Sequence, residues 1–173
     1  CLMELLYATG MRVSELVGLP VSATRGDPRL LLILGKGGKE RMVPLSPDAR
    51  TALATWITLR DETQTARMAK KQPASKFLFP SRGAEGHLTR HRFYLLIKEI
   101  AVAAGVNPAK VTPHTLRHAF ATHLLAGGAD LRSIQTMLGH ADVATTEIYT
   151  HVLDARLKAL VLDHHPLAKP TKT

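Results

Sequence analysis

Two apolar runs separated by a glycine-rich turn constrain this chain more than any other feature. Residues 29–34 are rich in Leu and Ile, Gly35-Lys36-Gly37-Gly38-Lys39 follows, and Glu40-Arg41-Met42-Val43-Pro44-Leu45 comes next. Run, turn, run is the pattern of an antiparallel β-hairpin. Around it the apolar residues fall at helical spacing. Leu2, Leu5 and Leu6, then Leu16 and Leu19, predict a helix, a break at Gly10 and a short helix from about Ser14. Ser46-Pro47-Asp48 opens a longer helix, with Pro47 in its first position and Ala49, Leu53, Trp56 and Ile57 on one face. Another starts at Thr89, with Phe93, Leu96, Ile97 and Ile100 on its apolar side. From Thr112 the pattern gives four short helices: residues 113–126, ending at Gly127-Gly128; one capped by Asp130 and running to Leu138; one capped by Asp142 and carrying Thr145, Thr146 and Tyr149; and residues 153–164. The expected fold is mainly α with a small antiparallel β-hairpin.

The 173 residues are one domain's worth, and 45% hydrophobic with 21% charged residues is a globular balance. Cys1-Leu2-Met3-Glu4-Leu5-Leu6 reads as mid-helix with no capping residue before it, so the chain is expected to be the C-terminal part of something longer. Residues 166–173 are expected to fray as a flexible tail. The single cysteine, Cys1, excludes an internal disulfide framework and a Cys-cluster zinc site. No apolar run has the length of a membrane span and no signal peptide is visible, which sets the expectation of a soluble intracellular protein.

The 23 Lys and Arg exceed the 14 Asp and Glu by 9, an excess that points to a polyanionic partner, and nucleic acid is the commonest. Between residues 64 and 98 stand eight basic residues (Arg67, Lys70, Lys71, Lys76, Arg82, Arg90, Arg92 and Lys98) against one acid, Glu85. That segment therefore carries +7 of the +9. Its part from Lys70 to Lys76 reads as a mobile loop. A solvated surface is the bland explanation, but clusters of one sign this dense usually meet phosphates.

Nine histidines invite a metal reading. His114 and His118 have the spacing of a zinc-binding pair on a helix, but Thr115 stands where a zinc protease carries Glu, and no third ligand is obvious. The acids are scattered, whereas a two-metal nuclease clusters them. The Gly35–Lys39 turn lacks the upstream glycine and the Ser or Thr of a nucleotide-binding loop. What remains is a set of phosphate-friendly groups that need no metal. Arg12 follows the Gly10 break, Lys36 sits at the hairpin turn, and His114 and Arg117 share a helix face. His140 follows a helix end and Tyr149 lies on the next helix.

Taken together, five segments resemble the boxes of the tyrosine recombinases, the phage integrase family. They are Ala8-Thr9-Gly10-Met11-Arg12-Val13-Ser14-Glu15-Leu16, Gly35-Lys36-Gly37-Gly38-Lys39-Glu40-Arg41, Pro113-His114-Thr115-Leu116-Arg117-His118, Leu138-Gly139-His140 and Thr145-Thr146-Glu147-Ile148-Tyr149-Thr150-His151. The resemblance covers essentially the whole chain. The run from Arg117 to Leu125, with Gly128-Ala129-Asp130-Leu131-Arg132 and His164-His165-Pro166, is similar to the branch that resolves bacterial chromosome dimers.

The resemblance implies a catalytic-domain fold over residues 1–165, without the family's N-terminal core-binding domain. It implies a catalytic set of Arg12, Lys36, His114, Arg117, His140 and Tyr149, with Tyr149 as nucleophile. The two guanidiniums neutralise charge on the phosphorane, the histidines donate hydrogen bonds or move protons, and Lys36 protonates the leaving 5′-oxygen. Glu15 is expected to orient Arg12, while His118 and His123 are expected to be mainly structural. No metal and no cofactor are expected. Lys39, Arg41, Lys70, Lys71, Lys76, Arg82, Arg90 and Arg92 are the expected DNA contacts. The implied partners are double-stranded DNA with a dif-like site, a paralogous recombinase in a heterotetramer, and a septal DNA translocase acting through the C-terminal region. The implied setting is bacterial cytoplasm, on the nucleoid, in chromosome partition at cell division. Two alternatives stand beside this: a mobile-element integrase of the same family, and a DNA-binding module without catalysis.

Overall fold

The computed structural model describes residues 1–24, 29–35, 38 and 40–139. Lys36, Lys39, His140, Tyr149, the two helices expected after Gly139 and the tail lie outside the described residues. In chain order the elements are α1 (Leu2–Thr9), α2 (Val13–Val17), β1 (Leu30–Leu34), β2 (Glu40–Pro44), α3 (Pro47–Ala69), α4 (Arg90–Ala103), α5 (Pro113–Ala126) and α6 (Leu131–Leu138). Short 3-10 turns at Val21–Thr24 and Pro108–Lys110 join some of them. Among the described residues the architecture is mostly helical with one two-stranded antiparallel sheet, as expected.

The helices begin where side chains satisfy their first backbone donors. Ser46 Oγ accepts from the Ala49 N–H at 3.3 Å, and Thr89 Oγ1 accepts from the Arg92 N–H at 3.1 Å. Thr112 Oγ1 accepts from the Thr115 N–H at 3.1 Å, and Asp130 Oδ1 accepts from the Ser133 N–H at 2.9 Å. Each such cap contributes roughly 1 kcal/mol. Leu5, Leu6, Phe93, Ile97, Phe120 and Leu124 are wholly buried and hold α1, α4 and α5 in one core. Burying each phenylalanine stabilises the fold by about 2–3 kcal/mol. On α4 the third buried position is Ala101, while the expected Ile100 is exposed.

In the sheet, Leu31 pairs with Val43 and Ile33 with Arg41. Period-two alternation puts Leu31, Ile33 and Val43 on the core face, and Leu32, Leu34 and Met42 on the exposed face.

The segment expected as a mobile loop, Lys70 to Lys76, opens where that reading has it, after α3, and differs from it at its far end. α3 runs on to Ala69, so the wider basic stretch begins inside a helix. Beyond it the backbone is tied back to α3. Arg60 donates from Nε to the Phe77 carbonyl at 3.0 Å and from Nη2 to the Ser75 carbonyl. Gln64 Oε1 accepts from the Ser75 N–H at 2.7 Å, and Trp56 Nε1 donates to the Leu78 carbonyl at 2.9 Å. The same stretch pairs with the segment after α2, Leu78 N–H to Leu19 O at 2.7 Å and Val21 N–H to Lys76 O at 2.9 Å. Buried polar groups need partners, and α3 supplies those that the pairing with the segment after α2 leaves over.

Candidate functional site

The site grows from two helix ends. α1 stops at Gly10, whose φ of +58° is left-handed. A Cβ there would stand 2.3 Å from Phe120 Cδ1 and 2.8 Å from Leu138 Cδ2, so only glycine lets α1 pass this close to α5 and α6. α6 stops at Gly139, φ +67°, whose own N–H caps the helix by donating to the Thr136 carbonyl at 3.0 Å. The last carbonyls of a helix have no partner within it. Here three successive ones are each taken by a different arginine. Arg41 Nε donates to Met137 O at 3.1 Å, Arg117 Nη2 to Leu138 O at 2.7 Å, and Arg12 Nη2 to Gly139 O at 3.1 Å. Arg117 Nη1 also donates to the Gly10 carbonyl, joining the two helix ends.

One carboxylate faces this trio and is bonded to two of its members. Glu15, on the first turn of α2, accepts from the Arg12 backbone N–H at 2.7 Å and from Arg12 Nη1 at 3.2 Å. It accepts from Arg41 Nη1 at 3.0 Å and Nη2 at 2.7 Å. Burial pushes the Glu15 carboxyl up, but the hydrogen bonds from Arg41 and from the Arg12 backbone outweigh it and hold its pKa below the ordinary 4.5. Arg117 is lowered too, but in its case this disfavours the charged form. Burial, then the charge of Arg12, lowers its guanidinium to about 10 against the pull of Glu15, which leaves it protonated at neutral pH. Three cations around one anion is an excess of positive charge at a place shaped to keep it.

Arg12 is the open member. Its side chain is 42% exposed, against 14% for Arg41 and 6% for Glu15. Arg12, Ser14 and Glu15 line an open cleft of about 400 Å³ with Leu34 and Gly35, so the end of β1 that leads into Lys36 borders the Arg12 site. His114 is exposed on the first turn of α5, three residues before Arg117. Of the six catalytic residues expected from the sequence, Arg12 and Arg117 meet at the end of α6 and His114 lies one turn away. The other three lie outside the described residues.

Arg41 is placed differently from the other expected contacts. Expected at DNA phosphates, it turns inward, and all three of its guanidinium nitrogens are engaged by Glu15 and Met137. The signal was present: Arg41 alternates with the buried Val43 and pairs with the buried Ile33, which puts it on the core face of the strand. Among the other expected DNA contacts, Lys70, Lys71, Lys76, Arg82, Arg90 and Arg92 are all exposed. Arg92 is also paired with Glu99 at 2.6 Å, and the Lys76 ammonium stands 5.2 Å from the Phe77 ring centroid. His123, expected to be structural, joins α5 to α1 through a 2.7 Å hydrogen bond between its Nδ1 and the Tyr7 hydroxyl, while His118 is exposed. Among the described residues no group of three or more His, Cys, Asp or Glu could hold a metal ion, and no helix is long and apolar enough to cross a membrane.

The profile of the phage integrase family matches residues 1–156. The tyrosine recombinase XerD of Bradyrhizobium diazoefficiens is 56% identical over 171 residues, covering 98% of this chain and 53% of the relative. The tyrosine recombinase XerC of Erythrobacter litoralis is 56% identical over 167 residues, covering 96% of this chain and 50% of the relative. The chain thus spans about half the length of the curated relatives it matches. Among solved structures, the XerA recombinase superposes with a TM-score of 0.65 at 34% identity, covering 93% of this chain and 56% of that one. XerH bound to its difH substrate superposes with a TM-score of 0.64 at 28% identity, covering 91% of this chain and 41% of that one.

Proposed function

We propose, from the premise that this chain belongs to the phage integrase family, that it is the catalytic part of a site-specific recombinase of the XerD type. It cuts and rejoins DNA strands at a dif-like site and so resolves chromosome dimers. The observation that carries this reading is the surplus of guanidinium charge at the end of α6, with Arg12 open to an anion. A phosphodiester is an anion that such a site fits. Attack at its phosphorus adds charge to the non-bridging oxygens, which Arg12 and Arg117 stabilise by charge-assisted hydrogen bonds without a metal. His114, on the same helix face as Arg117, donates a further hydrogen bond.

The step balances without a co-reactant. The Tyr149 oxygen bonds to phosphorus as the bond to the 5′-oxygen breaks. The phenol gives its proton to one of the histidines of the set, His114 or His140, and the 5′-oxygen receives one from Lys36; the reverse exchange returns both. The 3′-phosphotyrosyl ester stores the bond energy until a second 5′-hydroxyl attacks and reverses the exchange. His140 completes the phosphate contacts. Lys39, Lys70, Lys71, Lys76, Arg82, Arg90 and Arg92 add contacts to the DNA backbone away from the reacting bond. Arg41 is left out of them, because its side chain is only 14% exposed and is turned to Glu15 and the Met137 carbonyl.

The wider assembly belongs to the same proposal. A paralogous recombinase of the XerC type shares a heterotetramer with this protein. Residues 153–165 dock on a neighbouring subunit and receive the signal of a septal DNA translocase. The working place is the cytoplasm, on the nucleoid.

The test uses the protein as its gene encodes it and a nicked duplex carrying the dif-like site of the same genome. The protein should form an adduct that survives SDS. Tyr149→Phe should bind the duplex with unchanged affinity and form none. An adduct of normal yield in Tyr149→Phe refutes the assignment.

A further inference from the structure

We propose that Arg41 is a positioning residue of this site: it holds Glu15 so that Arg12 keeps its charge for the phosphate, and it fastens the β-hairpin to the end of α6. The inference rests on the transesterification reading above and deepens it. A carboxylate beside an arginine normally closes a two-pronged pair with it, which would neutralise Arg12 and occupy the edge that a phosphate needs. In this site the two-pronged pair is made with Arg41 instead, at 2.7 and 3.0 Å. Arg12 is left with one longer bond of 3.2 Å from a single side-chain nitrogen. Glu15 therefore fixes Arg12 in place without cancelling it.

The geometry allows this because Arg41 approaches from a different element. It stands on β2, opposite Ile33, on the core face of the sheet. Its Nε reaches the Met137 carbonyl at 3.1 Å, two residues before the carbonyl that holds Arg12. Gly139 makes the approach possible: a Cβ there would lie 3.1 Å from Arg41 Nη1 and 3.5 Å from Arg12 Nη1. One side chain thus joins the hairpin, α2 and the end of α6. A neutral or shorter residue at 41 would free Glu15 to close on Arg12 and loosen the hairpin from the site.

The experiment is single-turnover cleavage of the nicked dif-like duplex under saturating protein, with DNA affinity measured alongside. Parent, Arg41→Gln, Arg41→Lys, Glu15→Gln and the Arg41→Gln/Glu15→Gln double variant are compared. Arg41→Gln should cleave about 10- to 100-fold more slowly, the scale of a misplaced catalytic group. Its affinity for DNA should stay within about threefold, since few phosphate contacts change. Arg41→Lys should recover part of the rate, because it restores the charge but not the planar fork. The double variant should be no slower than Glu15→Gln alone, because Arg41 has nothing left to hold off.

A second substrate separates positioning from mere folding. A methylphosphonate at the scissile position carries no charge, so an occupied Arg12 should matter less. On it the Arg41→Gln defect should shrink to within about threefold. Defects that multiply in the double variant, or that are equal on both substrates, overturn the proposal. So does an Arg41→Gln protein as fast as the parent. If Arg41→Gln melts too low to assay, Arg41→Lys with and without Glu15→Gln carries the same comparison. A parent that forms no Tyr149 adduct removes the functional reading and this proposal together, and that outcome is distinct from a failure confined to residue 41.

Discussion

Arg60 on α3 and the trio of Arg12, Arg41 and Arg117 are built from the same parts to opposite ends. Arg60 is 5% exposed, holds the carbonyls of Ser75 and Phe77, and reaches Asp61 at 2.9 Å. One cation, one acid and two carbonyls leave nothing over. The trio also holds backbone carbonyls and also has one acid, but it gathers three cations about it. Like charges placed together cost stability, and a fold keeps such a cost where an anionic guest relieves it. Burial of an arginine therefore says little about function. Unbalanced charge among arginines that share one carboxylate says much more.

The comparison breaks most sharply under alanine. Arg12→Ala should lower the rate of DNA cleavage by about 10³-fold, the scale for removing a group that stabilises transition-state charge. Its stability should stay within about 1 kcal/mol of the parent, because Arg12 is half-exposed and its loss relieves crowding. Arg60→Ala should do the reverse. It should destabilise the fold by about 2–4 kcal/mol by orphaning two carbonyls, and its cleavage rate per folded molecule should be unchanged. Denaturant melts and single-turnover rates on both variants check the pair, and an Arg60→Ala protein that folds normally but fails to cleave erases the distinction.

Gly139→Ala should fall between them. The left-handed φ of +67° and the guanidiniums 3.1–3.5 Å from the new Cβ should cost about 1–2 kcal/mol and about tenfold in rate. A smaller effect is expected from pH. Because the folded pKa of Glu15 lies below its ordinary 4.5, the unfolded chain binds more protons in that range, so stability rises with pH there. The contribution of Glu15 should be complete above about pH 4.5 and fade as the pH falls through the lowered folded value. Unfolding free energies of parent and Glu15→Gln should converge on acidification, and a constant gap would mean that the carboxylate is not ionised in the fold. The smallest effect belongs to the basic surface. Lys70→Ala should reduce the salt slope of DNA binding by about 1, and Arg92→Ala by less, since Glu99 already shares its charge. If neither slope changes, this surface is only solvated.

The two arginine regions were unequally legible in the sequence. The helices, their Ser46, Thr89, Thr112 and Asp130 caps and the hairpin follow from patterns a few residues long. So does the pairing of Glu15 with Arg12, three residues apart. Arg60 binds a segment 15 to 17 residues further on, and no local pattern announces that contact. The convergence on α6 is longer still, 127 residues from Arg12 to Gly139 and 96 from Arg41 to Met137. Those contacts exist only once the core has brought α1, α5 and α6 together. The inward turn of Arg41 was hidden for a further reason: a basic residue in a glycine- and lysine-rich hairpin looks like a surface charge until the strand register is known.

The three carbonyls that end α6 also bear on how the site behaves as its surroundings change. A helix terminus carries about half a negative charge at its C-terminal end, spread over such groups. Here that half-charge is turned toward the arginines and acts as their counter-ion. Unlike a second or third glutamate, it cannot be protonated, cannot swing round to form a rival pair, and presents far less full negative charge to an approaching strand. The trio is thus tethered by a dipole as well as by an acid, and its affinity for phosphate should hold constant across the neutral range, where a cluster tethered by histidine would drift.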